Sequence, residues 1–93
     1  MKIEEMLEKP AVKILLLLYH EEDVIYRDLT DLISSRGTIS TNMNSLEEEE
    51  LIQRRVEPTR SPKSFYSRTE KGEQVARYLH QAKNILRRSK KID

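Results

Sequence analysis

The sequence predicts a mainly α-helical domain with one small β-hairpin (α+β class), in the order helix, helix, helix, hairpin, helix. Apolar residues recur at helical spacing through the first half of the chain and again near its C-terminus. Two β-leaning runs between them, residues 51–58 and 63–69, flank a loop that contains prolines. A chain of 93 residues, 37% of them apolar, is large enough for one domain with a modest core.

The first core helix is predicted to start at Pro10, because the first turn of a helix tolerates proline well. It ends by the polar stretch 20–23, and the preceding segment 2–8 is predicted as a separate helical turn. Val24 and Ile25 then form a short apolar bridge to the next helix. The core residues predicted for the first helix are Ala11, Ile14, Leu15 and Leu18.

Two further helices are joined by a tight turn, "SSRG", at residues 34–37. The earlier helix starts near Tyr26, and the later one starts after Ser35, whose hydroxyl suits an N-cap. Two helices joined by a Ser/Gly turn are the pattern of a helix-turn-helix. The inward-facing residues predicted for these two helices are Leu29, Leu32, Ile33, Ile39, Met43 and Leu46.

A hairpin and a long helix complete the predicted domain. The prolines that bound the loop 58–62 stop the two strands, which leaves Arg60 and Lys63 at a basic tip. Thr69 is the predicted cap of the final helix, which covers residues 70–89. The apolar stripe predicted for that helix consists of Val75, Tyr78, Leu79, Ala82, Ile85 and Leu86.

The net charge of +1 conceals two halves of opposite sign. Residues 1–52 hold five Lys or Arg and twelve Asp or Glu, a net charge of −7, whereas residues 53–93 hold twelve and four, a net charge of +8. The sign changes within "LEEEELIQRR" (residues 46–55), where Arg54 or Arg55 is expected to offset the four glutamates. A basic half suits a polyanionic partner. The alternatives are two solvated faces, or two halves that attract one another.

Composition argues against several classes of function. The absence of cysteine excludes a disulfide framework and a Cys-rich zinc site. The longest apolar run, residues 14–19, is far shorter than the roughly 20 residues that span a bilayer. With no signal-peptide pattern at the N-terminus, we expect a soluble cytoplasmic protein with no membrane partner. His20 and His80 are isolated and no Gly-rich phosphate loop is present, so we expect no enzyme, no metal and no cofactor.

Three stretches of the chain carry a family resemblance. "GTISTNMNSLEEEELI" (residues 37–52) is similar to a recognition helix in which T-[VI]-S leads to L-E-x-x-G-L-[IV]. "RRVEPTRSPKSFYS" (54–67) is similar to the hairpin called the wing, and "RTEKG" (68–72) to the L-T-E-x-G that opens the next helix. In order and spacing, over roughly residues 10–80, they resemble the winged helix-turn-helix DNA-binding transcriptional regulators of the MarR, HxlR and PadR groups.

Two positions depart from the pattern of those families. Glu50 stands where they usually have glycine, at a position that is often left-handed and costs a non-glycine residue about 1 kcal/mol. A turn of a different kind is therefore expected there. Arg68 stands where they usually have an inward-facing leucine, so either the strand is rotated or the arginine extends outward.

The resemblance implies that the third helix enters the major groove of double-stranded DNA, while the wing lies along the backbone or the minor groove. At about 100° per residue, the helix face opposite the core carries Gly37, Thr41, Asn44 and Glu48, and small polar side chains suit base edges. The alternative is an ordinary solvated face. The contacts predicted for this helix are Arg36, Gly37, Thr38, Ser40, Thr41, Asn44 and Ser45.

The wing is predicted to supply the sequence-independent attraction to phosphates, because the third helix carries no Lys or Arg after its first residue. Strand alternation predicts that only one of its two adjacent arginines faces outward. The predicted wing contacts are Arg54, Arg55, Arg60, Lys63 and Arg68.

The final helix is predicted to expose more apolar surface than so small a domain needs to cover. We expect it to meet the same helix of a second copy and form a homodimer, and the alternative is packing against its own first helix. The single domain 1–93 then divides into the helix-turn-helix and wing (10–69), a dimerisation helix (70–89) and a frayed tail (90–93). The predicted dimerisation residues are Leu79, Ala82, Ile85 and Leu86.

A second class of function also fits these features. A winged helix can act as a protein-interaction module within a transcription or replication assembly, and the acidic half would then be its contact surface. The sequence leaves open the DNA target, the choice between repression and activation, and any small-molecule effector.

Overall fold

The computed structural model describes residues 2–90, which form five helices and one β-hairpin. The predicted order is confirmed, and the separate N-terminal turn is present as the first helix. Lys90, predicted as tail, ends the last helix, and the rest of the predicted tail lies outside the described residues. No helix in residues 2–90 is long and apolar enough to cross a membrane. The elements are α1 (Ile3–Leu7), α2 (Pro10–His20), α3 (Tyr26–Leu32), α4 (Arg36–Glu48), β1 (Ile52–Glu57), β2 (Lys63–Arg68) and α5 (Glu70–Lys90).

One hydrophobic core holds the elements together, and α2 lies at its centre. Ile14 and Leu18 of α2 are fully buried, and this helix packs against α3, α4, α5 and β2. The core residues predicted for α4 are confirmed, because Ile39, Met43 and Leu46 are all buried. Burial of these side chains is the main favourable term in folding a domain of this size. The remaining core residues are Leu15, Val24, Leu29, Ile52 and Ala76.

The structure differs from the predicted core at Leu32 and adds Ala76 to it. Leu32 is predicted to face inward, but it is 37% exposed, since the short helix α3 ends there and buries only Leu29 fully. In α5 the fully buried side chain is Ala76, whereas Val75 and Tyr78 of the predicted apolar stripe are exposed. A small residue lets α5 approach the core closely.

The hairpin is anchored to the body of the domain by a segment before α3. β1 and β2 pair antiparallel, with Ile52 opposite Arg68. Val24 forms an isolated bridge on the other edge of β2: its N–H donates to Tyr66 O at 2.9 Å, and Tyr66 N–H donates to Val24 O at 2.7 Å. The short apolar bridge predicted at this position is therefore also a minimal third strand, which holds the base of the hairpin.

The joint between α4 and β1 (residues 49–51) contains a left-handed residue without glycine. Glu50 has φ 61°. Leu51 N–H donates to Leu46 O at 2.9 Å, and Glu50 N–H donates to Glu47 O at 3.0 Å. This pair of bonds is the Schellman motif that usually ends a helix at glycine. The expectation of a differently built turn is therefore wrong, and the turn keeps the usual geometry with a glutamate in the strained position.

The start of α5 lies directly on this joint. Thr69 Oγ1 donates to Glu50 O at 2.6 Å and accepts a hydrogen bond from Gly72 N–H at 3.0 Å, which confirms Thr69 as the cap. Thr69 N–H also donates to Leu51 O at 3.1 Å. Gly72 approaches the joint so closely that a Cβ atom there would overlap the carbonyl group of Leu51. Only glycine fits this contact.

Arg68 reaches inward, which neither expectation for it allows. Its Nη1 donates to Leu18 O at 2.9 Å, and its Nη2 lies 3.7 Å from Glu73 Oε1. Leu18 is in the last turn of α2, where carbonyl groups lack helical partners, so a cation there also complements the helix dipole. The arginine replaces the packing of a leucine with a helix C-cap interaction.

Replacing Glu50 with glycine should stabilise the domain. We expect Glu50→Gly to raise the free energy of unfolding by about 0.5–1 kcal/mol, because glycine adopts positive φ without the Cβ penalty. Urea denaturation measures the change. Glu49→Gly is the matched control: it removes the same charge one residue earlier, but Glu49 is right-handed, so it should lower stability. Equal effects of the two substitutions would contradict this account.

Candidate nucleic-acid interface

Helix α4 buries one face and presents the other to solvent. Ser35 Oγ accepts a hydrogen bond from Thr38 N–H at 3.2 Å, which confirms the predicted N-cap and fixes where the helix begins. Of the seven contacts predicted on this helix, only Thr38 is half-buried. The other six are exposed and therefore lie on an open surface, and they are Arg36, Gly37, Ser40, Thr41, Asn44 and Ser45.

The two asparagines of α4 have different environments. Asn42 is half-buried, and its Nδ2 donates to Thr38 O at 2.7 Å, so this amide is engaged within the helix. Asn44 is exposed, and no hydrogen bond of its side chain is found in residues 2–90. An asparagine whose amide is unengaged can both donate to and accept from a base edge.

The hairpin presents cations that have no acidic partner in the described part of the chain. Arg54, Arg60 and Lys63 are exposed, and none of them lies within ion-pair distance of a carboxylate there. In the loop, Thr59 Oγ1 donates to Ser61 O at 2.7 Å and gives the tip around Arg60 a local hydrogen bond. Unneutralised cations at the end of a projecting hairpin suit phosphate groups.

Arg55 differs from its neighbour in being paired. Its Nη2 lies 3.4 Å from Asp23 Oδ1 and 3.5 Å from Glu57 Oε1, and its guanidinium lies 5.1 Å from the centre of the Phe65 ring. The expectation that only one of Arg54 and Arg55 faces outward is wrong. Both are exposed, because β1 is open to solvent on both of its faces beyond its first residue.

Arg68, assigned to the wing contacts on sequence grounds, is the exception in this group. It is half-buried, and its guanidinium is engaged with Leu18 O and the Glu73 carboxylate. The side chain therefore serves the fold, and we leave it out of the interface proposed below.

The four glutamates 47–50 lie at the far end of α4 from Arg36. With a rise of 1.5 Å per residue, the helix separates Arg36 from Glu48 by about 18 Å. The expected offset by Arg54 or Arg55 is wrong, since neither forms an ion pair with this run in the described residues. Lys71 is the cation at this end, and its Nζ donates to the carbonyl of Glu49 at 3.0 Å. It complements the helix dipole directly.

Arg27 is a candidate that the sequence analysis missed. It is exposed in the first turn of α3 and shares a cleft of about 480 Å³ with Lys63 of the hairpin. Tyr26, Ser64 and Tyr66 line the same cleft. The sequence gives no sign that Arg27 lies near the hairpin, because Arg27 and Lys63 are 36 residues apart in the chain.

The residues predicted for dimerisation have different positions in the structure. Leu79 packs partly against the core of its own domain, and Leu86 lines a cleft with Leu7 of α1. Ala82 is half-buried, and Ile85 is 54% exposed. Three exposed residues of α5, Val75, Tyr78 and Ile85, lie at heptad-like spacing with the half-buried Ala82. We call these four residues the apolar line.

Helix α1 exposes two further apolar residues. It packs against α5 and exposes Ile3 and Met6, the latter at 43%. Tyr78 is the most exposed of the large apolar residues, at 69%. Exposed large apolar side chains on a small domain are candidates for an interaction surface.

Solved structures share this fold. The diamide-treated YodB from B. subtilis is 21% identical over 86% of this chain and 81% of its own, with a TM-score of 0.70. A transcriptional regulator homologue from Pyrococcus horikoshii OT3 is 14% identical over 91% and 87%, with a TM-score of 0.72. A C30AH42A mutant of Lactococcus lactis ZitR is 22% identical over 95% and 68%, also with a TM-score of 0.72. At these identities the likeness establishes the winged-helix fold.

The family follows from the sequence. No curated protein matches the chain in a sequence search. The model of the HxlR-like helix-turn-helix family matches residues 8–91, which include every element from α2 to α5. Family and fold together support a transcriptional regulator with a DNA-binding helix-turn-helix. The chain belongs to the HxlR-like helix-turn-helix family.

Proposed function

We propose that this chain binds double-stranded DNA in a sequence-specific manner as a homodimer. One observation carries the proposal: α4 presents an open polar face, and the hairpin that follows it carries exposed cations with no acidic partner in residues 2–90. An α-helix fits the major groove, and a projecting basic hairpin fits the neighbouring backbone or minor groove.

Specificity is assigned to α4. Its N-terminal half carries small side chains, which let the helix backbone come close to base edges. Asn44 is the best candidate for a direct base contact, because its amide is exposed and unengaged and asparagine pairs well with adenine. Arg36 stands at the helix N-terminus, where its charge and the helix dipole both favour a phosphate.

Affinity is assigned mainly to the wing. Arg54, Arg60 and Lys63 supply positive charge that no ion pair in the described chain balances. Arg27 adds a cation in the cleft that it shares with Lys63. Contacts of this kind are blind to sequence and sensitive to salt. Arg55 contributes less, because two carboxylates already lie beside its guanidinium.

The homodimer is assigned to the apolar line of α5. Heptad-like spacing of its four residues suits packing against the same helix of a second copy related by a two-fold axis. Such a dimer places two copies of α4 about one DNA turn, ~34 Å, apart, which predicts a palindromic site.

Removing unpaired wing cations should weaken binding to DNA of any sequence. We expect Arg60→Ala and Lys63→Ala each to lower affinity for random duplex DNA about fivefold to tenfold near 0.1 M salt. Each should also reduce the slope of log affinity against log salt by about 0.9, because one phosphate contact is lost. Fluorescence anisotropy over a salt series measures both quantities.

Arg55→Ala is the matched control for this experiment, since it removes the same charge from the same hairpin. Because Asp23 and Glu57 already neutralise Arg55, the salt slope should hardly change. A salt slope near zero for the unaltered chain, with no loss in the Arg60 and Lys63 variants, would contradict DNA binding. That outcome would favour a protein-interaction module that uses the exposed glutamates.

Replacing Asn44 should reduce discrimination between DNA sequences. We expect Asn44→Ala to weaken binding to a site selected from random duplexes by about tenfold or more, while affinity for random duplex DNA stays the same. Competition anisotropy with both DNAs measures the ratio. In Asn42→Ala the lost amide is one that bonds within the helix, so this control should retain the ratio. Equal loss in both variants would argue against a base contact at Asn44.

Placing a charge on the apolar line should separate the two copies. We expect Tyr78→Glu to be monomeric at concentrations where the unaltered chain is a dimer, because the line would bury a carboxylate. Light scattering coupled to size-exclusion chromatography measures the mass. Arg77→Gln makes the same change in charge one residue away, off the line, and should remain dimeric. A monomeric unaltered chain at high micromolar concentration would overturn the homodimer.

A further inference from the structure

The two histidines of the chain meet in a pocket that the DNA-binding surface does not use. His20, at the end of α2, and His80, on α5, have ring centres 4.8 Å apart at an interplanar angle of 77°. Tyr19 lies beside both rings, 5.3 Å from His20 and 5.5 Å from His80. Asn84 Nδ2 lies 3.3 Å from His80 Nε2, which restrains the orientation of this imidazole. Residues isolated in sequence thus form one cluster.

The cluster forms one wall of a pocket of about 280 Å³ between α2, the end of α3 and α5. The floor is apolar and consists of Leu16, Leu17 and Leu32. The exposure of Leu32, which the sequence analysis did not predict, is explained by its place in this floor. A pocket of this size holds a ligand of about ten non-hydrogen atoms, and an apolar floor favours a ligand with an apolar body.

The rim of the pocket is positively charged. Lys13, Lys83 and Arg87 line it, and no carboxylate does so in the described residues. Lys13 is partly balanced by Glu8, 3.4 Å away, whereas Lys83 and Arg87 have no ion pair in residues 2–88. Positive charge without a nearby ion pair at the rim of a pocket favours an anionic ligand.

A metal ion is the competing occupant for a histidine pair. Two features argue against it. No group of three or more His, Cys, Asp or Glu that could hold a metal occurs in the described part of the chain. The three cations around the pocket would also repel a divalent ion, whereas the same cations attract an anion. Imidazole and amide groups can then donate hydrogen bonds to that anion.

The pocket stays open in the proposed homodimer. At about 100° per residue, the pocket residues of α5 (His80, Lys83, Asn84 and Arg87) point roughly opposite to the apolar line. A ligand would therefore contact the end of α3, within the helix-turn-helix, and α5, without competing with a second copy.

We propose that this pocket is a binding site for a small organic monoanion, a carboxylate carried on an apolar ring of about the size of benzoate. The carboxylate lies between Lys83 and Arg87, within reach of the imidazoles, and the ring lies on the leucine floor. This site requires no DNA and stands independently of the proposed function.

Proton NMR of the unaltered chain tests the site directly, since the only two histidines both line the pocket. Titration with sodium benzoate at constant pH and ionic strength should move the imidazole signals of His20 and His80 together and saturably. The dissociation constant should be on the order of millimolar for a ligand of nine non-hydrogen atoms. Benzyl alcohol has the ring without the charge, and sodium sulfate has charge without a ring. Both should bind at least fivefold more weakly.

Variants identify the charges that hold the anion. Lys83→Met and Arg87→Met preserve most of the side-chain volume and should each weaken benzoate binding at least fivefold. Arg77→Met removes a cation from the same helix but outside the pocket, and it should bind benzoate as the unaltered chain does. The spectrum of each variant without ligand reports whether it is folded.

Three results would overturn the proposal. The first is an absence of any response of the histidine signals at benzoate concentrations about 50-fold above the expected dissociation constant, which would show that no such site exists. Equal binding of benzyl alcohol, or equal binding in the Lys83 and Arg87 variants, would show that charge plays no part. Stoichiometric binding of zinc chloride to the histidine pair, with no response to benzoate, would assign the pocket to a metal ion.

Discussion

The relative positions of α4, the hairpin and α5 depend on the contact between the start of α5 and the joint after α4. Three successive carbonyl groups of the joint, those of Glu49, Glu50 and Leu51, accept hydrogen bonds from Lys71 and Thr69. Gly72 lies so close that no side chain fits beside Leu51. Because β1 begins where the joint ends, this contact fixes α4, the hairpin and α5 relative to one another. A substitution here would affect all three elements at once.

The same joint explains where the charge of the chain changes sign. Glutamates 47–50 occupy the end of α4, where the helix dipole does not favour them, and Lys71 binds at this end through a backbone carbonyl. Arg54, beyond the joint, has no ion pair in the described chain, whereas its neighbour Arg55 pairs with Asp23. The joint thus lies between an acidic end of α4 and a basic hairpin. The proposed DNA surface uses α4 from Arg36 to Asn44, the hairpin and Arg27, and it leaves out the glutamate run.

Whether the sequence predicts a structural feature depends on how many residues separate the interacting side chains along the chain. The core face and cap of α4 follow from spacing and from one serine, so both could be predicted. The inward course of Arg68 could not, because its acceptor on Leu18 is 50 residues away. The buried face of α5 was also missed, since apolar periodicity weights large residues and the position that approaches the core is Ala76.

Three features that the sequence analysis did not predict lie in one region. Leu32 is exposed where a core residue is expected, two isolated histidines come together, and Lys83 is half-buried without an ion pair in the described residues. An exposed leucine and a half-buried lysine without an ion pair both depart from the usual distribution of apolar and charged residues. The contact between the histidines is not visible in the sequence. Departures from the usual distribution tend to cluster where a protein has a function besides folding. Since α5 carries this pocket on one side and the apolar line on the other, a single helix can serve a ligand and a second copy of the chain at the same time.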